Sequence, residues 1–165
     1  MSLHNILVDN NNTLYCSDLV VSDAITIAGA GVPTLINQVV SIPYAYGGSI
    51  VGNLSCIATR ISTSSKPGYV YLTIPPFTYT TASASAFTFD ISGLAGFLIY
   101  ENFIGNSYVT ALNGSGGSTN LARIEIDGIN QTITMYGDID SGSFASGYPS
   151  GIKYSTTISY LQAFA

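Results

Sequence analysis

From residue 50 onward the chain alternates apolar and polar positions in short runs bounded by Gly, Ser, Asn and Pro. No segment keeps apolar residues at the three-to-four spacing of a helix face, so the pattern predicts strands throughout. Residues 69–74 read as a strand that stops at Pro75-Pro76, because proline brings no N–H to a central ladder. Residues 87–91 alternate cleanly until Ser92-Gly93 breaks them, and 97–100 and 108–112 are further strands with Gly105-Asn106 between them. Residues 121–127 place Ile124 and Ile126 on one face and Arg123, Glu125 and Asp127 on the other. Asp127-Gly128 then starts a turn and 132–136 returns, which makes this the clearest hairpin of the chain. The last run, 154–161, puts Tyr154, Thr156, Ile158 and Tyr160 on one face and Lys153, Ser155, Thr157 and Ser159 on the other. With a run from 50 to 61 this gives about eight strands, the count of two antiparallel sheets in a jelly roll.

The first 45 residues have a different texture. Ser17-Asp18 and Ser22-Asp23 each lead a short apolar piece, and Gly29-Ala30-Gly31 with Pro33 marks a bend. Such pieces are too short to bury a face alone and need a neighbour, either the sandwich or another chain. The expected organisation is an N-terminal β arm or linker over 1–45, in oligomer contacts, and a head over 46–165. The fold class is all-β: an antiparallel β-sandwich, jelly-roll-like, with a short N-terminal β arm.

Composition sharpens this picture. Charged residues make up 8% of the chain, against about 25% in an average soluble domain. With 47% apolar and 12% aromatic residues the chain is no disordered polymer. Its polar surface comes from Ser, Thr, Asn and Gly, which suits a chain packed against copies of itself. The net charge is −5, and Arg60, Lys66, Arg123 and Lys153 are the four cations. Four scattered cations make no phosphate-tracking stripe, so neither nucleic acid nor an anionic membrane surface is an expected partner. No apolar run reaches the length of a membrane-spanning helix. Residues 1–12 hold neither a basic nor an apolar leader region, which predicts no signal peptide and synthesis in a cytosol. Cys16 and Cys56 are too few for a disulfide framework. They either pair and tie arm to head or stay free, and reducing synthesis favours free thiols.

The succession of 71–77, 87–94, 122–128, 131–136 and finally Gly151-Ile152 with 157–161 resembles the C-terminal jelly-roll heads of viral and phage fibre, spike and minor capsid or decoration proteins. The arm over 5–27 is similar to their short β-rich lead-ins. The resemblance covers nearly the whole chain, though the chain has no long repetitive shaft. It implies a homotrimer in contact with other virion proteins, a structural role in the virion with host attachment to a glycan or protein receptor, and no catalytic residues. The alternative from another class is a soluble lectin-like carbohydrate-binding β-sandwich.

Candidate chemistry is sparse. His4 is the single histidine and lies near the terminus, which leaves no imidazole for a catalytic triad or a zinc site. Glu101 with Glu125, or Asp138 with Asp140, are the acidic pairs available for glycoside hydrolysis, and nothing in the sequence places either in a cleft. The Asp138–Asp140 loop has part of a calcium-loop pattern but lacks its third acid and distal Glu, so an ordinary turn is expected. No catalytic, cofactor or metal residues are therefore assigned. Sequons at Asn11, Asn53, Asn113 and Asn130 are expected to be chance in an Asn/Ser/Thr-rich chain. Among twelve tyrosines, Tyr44, Tyr46, Tyr108 and Tyr148 lie beside Gly, Pro, Asn or Ser in expected loops. Exposed Tyr supplies amphipathic contact area, so these four are the candidates for surface recognition. Packing in the core or at subunit contacts is the competing role.

Overall fold

A computed structural model describes residues 4–8, 14–18, 26–27, 30–31, 34–63, 66–114 and 118–163, with side chains for 35–62, 68–114 and 118–163. Every regular element in these residues is a strand. The arm gives β1 (His4–Val8) and β2 (Leu14–Asp18), which pair antiparallel, and the short pair β3 (Thr26–Ile27) and β4 (Ala30–Gly31). The remaining strands are β5 (Thr34–Tyr46), β6 (Ser49–Thr63), β7 (Lys66–Ile74), β8 (Phe77–Thr80), β9 (Phe87–Asp90), β10 (Ile104–Leu112), β11 (Thr119–Asp127), β12 (Thr132–Met135), β13 (Pro149–Ile152) and β14 (Thr156–Leu161).

These ten form one antiparallel sheet in the order β14-β7-β6-β5-β9-β12-β11-β10-β13-β8. Each strand contributes inward side chains to a single apolar cluster, including Ile42, Cys56, Leu72 and Tyr160 from one half and Phe87, Ile124, Ile133 and Ile152 from the other. A sheet buried along one whole face has to curl over on itself. The outcome is an all-β, jelly-roll-like antiparallel sandwich, in which the last strand, β8, packs Phe77 edge-on against Phe87 and Phe89 of β9.

The sequence pattern explains the joints. β7 ends at Ile74, before Pro75-Pro76. β11 and β12 pair from Asp127↔Thr132 to Ile124↔Met135. Asp127 holds the intervening turn: its Oδ1 accepts from the N–H groups of Ile129 at 2.9 Å and Asn130 at 3.1 Å, and its Oδ2 from Asn130 Nδ2 at 2.6 Å. These bonds, the Asn130 side-chain bond first, lower the Asp127 pKa. The β5–β6 turn uses Gly47 and Gly48 at φ 56° and 83°. Two successive positive φ values are the requirement of a tight hairpin turn that matches strand twist.

β5 pairs with β6 over its whole length, so the ten-stranded sheet takes in Thr34–Tyr46. Two expectations are corrected. Residues 97–100 are no strand; they carry one bridge, Ile99↔Gln162. β8 and β13 pair with each other where the sequence pattern shows no strands. Residues 19–25 and 115–117, read as parts of the arm and of a Gly/Ser loop, lie outside the described residues, as do the side chains of His4 and Cys16.

Candidate recognition and assembly surfaces

The four singled-out tyrosines do not share one surface. Tyr44 and Tyr46 are strand residues of β5, not loop residues. Tyr46 is buried, with its ring centroid 4.8 Å from that of Phe87. Its hydroxyl donates to Ser83 O and accepts from Ser85 N–H at 2.9 Å, which pins the loop before β9. Tyr44 is half-buried beside Phe77, with ring centroids 5.2 Å apart. Burial, with the neighbouring Tyr79 second, raises its pKa. Tyr108 and Tyr148 are exposed, the first on β10 and the second in the turn before β13.

Tyr108 belongs to a polar ledge on the outer face of β10 and β11. It stands opposite Arg123 across β10–β11. The Arg123 guanidinium lies 4.9 Å from the ring centre of Tyr136 and donates from Nη2 to Glu125 Oε2 at 2.9 Å. In the next row Asn106, Glu125, Thr134 and Thr88 face one another across four strands. The sequence pattern places Arg123 and Glu125 on the outward face but misses Tyr136, whose place beside Arg123 comes from the bond of Tyr136 N–H to Arg123 O.

The other outer face has the opposite character. Three rows run across β5, β6, β7 and β14. Leu35, Ile61, Tyr69 and Leu161 form one, Asn37, Thr59, Tyr71 and Ser159 the next, and Val39, Ile57, Thr73 and Thr157 the third. None of the twelve is charged. Leu35, Val39, Ile57, Ile61, Tyr69 and Tyr71 are all exposed, Val39 at 68%. The polar members bond within the face: Thr59 Oγ1 donates to Asn37 Oδ1 at 3.3 Å, and the Thr73 and Thr157 hydroxyls lie 2.8 Å apart. Arg60 sits on the opposite side of β6 and donates to Gly96 O at 3.0 Å. Strand spacing of about 4.8 Å and two-residue steps of about 7 Å put this uncharged face on the order of 400 Å².

One member of each acidic pair, Glu125 or Asp138, is engaged locally. Glu125 is held by Arg123. Glu101 borders a depression lined also by Ile99, Tyr100, Gln131 and Ala163. Asp138 Oδ1 accepts from the N–H groups of Asp140 at 2.9 Å and Gly142 at 2.7 Å, so this carboxylate shapes its own turn. Among the described residues no three His, Cys, Asp or Glu side chains gather as a metal site. Two of the sequon asparagines have local duties: Asn113 bonds Gly137 O and Ala145 N–H, and Asn130 bonds Asp127. Cys56 is a buried free thiol.

No family model matches the sequence, and no curated protein matches it.

Proposed function

We infer that this chain is a structural component of a virus or phage particle, as a fibre head, spike or minor capsid protein, and that it works as a homotrimer. The observation that carries the self-assembling part of this reading is the uncharged face headed by Leu35, Val39, Ile57, Ile61, Tyr69 and Tyr71. Removing water from such a face strips no ion of its hydration, so association avoids the main desolvation penalty. Closed rotational symmetry uses such an uncharged face without leaving a sticky open end. The viral setting and the number three rest on the resemblance of the strand succession to viral jelly-roll heads. Light scattering on the purified chain through a dilution series tests the reading: a trimer mass that persists supports it, and a monomer at every concentration refutes it.

A second reading has its own observation. The ledge of Tyr108, Arg123, Tyr136 and Glu125 offers aromatic surface beside charged hydrogen-bonding groups, the combination used to hold sugars or proteins. It fits host attachment by the particle, or a lectin-like module acting alone. Saturable glycan binding that is lost in Tyr108→Ala, by a chain that is monomeric throughout, favours the lone module.

A further inference from the structure

An unpaired strand edge offers its N–H and C=O groups to any other strand, and natural sheets cover, shorten or charge such edges. This fold does so at some places. At the end of β14, Tyr100 N–H donates to Leu161 O at 2.8 Å and Ala163 N–H to Leu98 O at 2.9 Å, so residues 98–100 cover the edge there. β9 lies between β5 and β12. β8 is four residues long and follows Pro75-Pro76.

β5 is different. It pairs with β6 from Thr34↔Ser62 to Tyr46↔Ser49 but meets β9 only at Tyr44, Ala45 and Tyr46. Over residues 34–43 its other side pairs with no described strand, and β1 to β4 form separate small sheets. Among the described residues that leaves roughly 30 Å of ladder open. The usual protections are missing from it. Residues 34–46 contain no charged side chain, Pro43 stands at the last open position, and the bulge at Tyr44/Ala45 falls where β9 already pairs.

We propose that this open edge of β5 is completed by a strand from a second copy of the same chain. The proposal rests on the self-assembly reading above and says where the contact is made. Three observations select a like copy as the occupant. Leu35 and Val39 lie on β5 itself, so the open edge continues directly into the uncharged face. That face, on the order of 400 Å², is about half of what one partner gives to a standard stable interface, and an added strand extends it. The third observation is charge. The molecule is acidic overall, and its described acids, Asp18, Asp90, Glu101, Glu125, Asp127, Asp138 and Asp140, all lie outside β5, β6, β7 and β14. Two like-charged copies therefore approach with least repulsion through these four strands. A partner chosen by charge finds no charged group along β5 to recognise.

Hydrogen exchange read by mass spectrometry on the full chain tests the proposal. In an antiparallel strand alternate N–H groups point to opposite sides, so a free edge leaves about half of the amides over 34–43 quick to exchange. The assembled protein is expected to protect nearly all of them. Val39→Lys places a charge at an exposed position that the lone chain tolerates. It should lower the assembly to single chains with an unchanged β-type circular dichroism spectrum, and half of that protection should disappear. If the wild-type chain is assembled while half of the amides over 34–43 exchange freely, the edge is open and this proposal fails, though self-assembly stands. If the wild-type chain is a monomer at every concentration, both readings fail.

Discussion

The side-chain amide of Gln131 holds both backbone groups of Ile99: Oε1 accepts its N–H at 2.8 Å, and Nε2 donates to its carbonyl at 2.8 Å. Nε2 also donates to Gly128 O at 2.6 Å, and Gln131 sits at φ 54° to reach all three groups. Ile99 is fully buried and belongs to the segment that covers the end of the β14 edge. One side chain thus takes the place of a paired strand.

Gln131→Ala should therefore destabilise the protein well beyond an average surface change. Leaving a buried backbone donor and acceptor unpaired costs about 1–3 kcal/mol each. Urea unfolding should show a loss of about 2–4 kcal/mol. A loss below about 0.5 kcal/mol, the size of an ordinary surface substitution, would mean that Ile99 has other support.

This clamp also marks the limit of what the sequence makes legible. Period-two alternation finds β11, β12 and β14, because Ile124, Ile126, Ile133, Ile158 and Tyr160 all point into the core. Pro75-Pro76 fixes the end of β7. The same pattern mistakes 97–100 for a strand, since Phe97 and Ile99 are buried as alternation requires, while Phe97 bonds Leu94 O and the Tyr160 hydroxyl and Ile99 is held by a side chain and a single bridge. β8 and β13 are missed for the converse reason. Proline and glycine beside them read as loop, yet Phe77 and Ile152 are held in the core, and packing overrides propensity. Of the candidate tyrosines, local Gly and Pro neighbours wrongly place Tyr44 and Tyr46 in loops. The uncharged face is legible only as a shortage of charge; its three rows depend on the register between β5, β6, β7 and β14, which no local pattern encodes.

Alkaline stability should depend on Cys56. Burial pushes its thiol from the ordinary 9.0 up to about 11. The folded state therefore keeps a proton that the unfolded chain loses, and stability is complete below pH 9 and falls as pH rises toward 11. A rise of about two in pKa corresponds to a loss of about 2–3 kcal/mol at most. Tyr160, raised by its own burial and then by Cys56, adds in the same direction above pH 10. Cys56→Ala should flatten the slope of unfolding free energy between pH 9 and 10. An unchanged slope there would place its origin elsewhere.

Removal of residues 1–30 should leave the sandwich folded, because the ten-stranded sheet begins at Thr34. The expected result is an unchanged β-type circular dichroism spectrum with weaker self-association. Outright unfolding would make the arm part of the sandwich.

The central claim is that the chain assembles with itself through uncharged surface. Sedimentation of the intact chain at low micromolar concentration, in low salt and in about 1 M salt, tests it directly, because screening at the higher salt reaches about 3 Å and removes ionic contacts. The account predicts the mass of three 17.3 kDa chains in both solutions. A single-chain mass at low salt would contradict it.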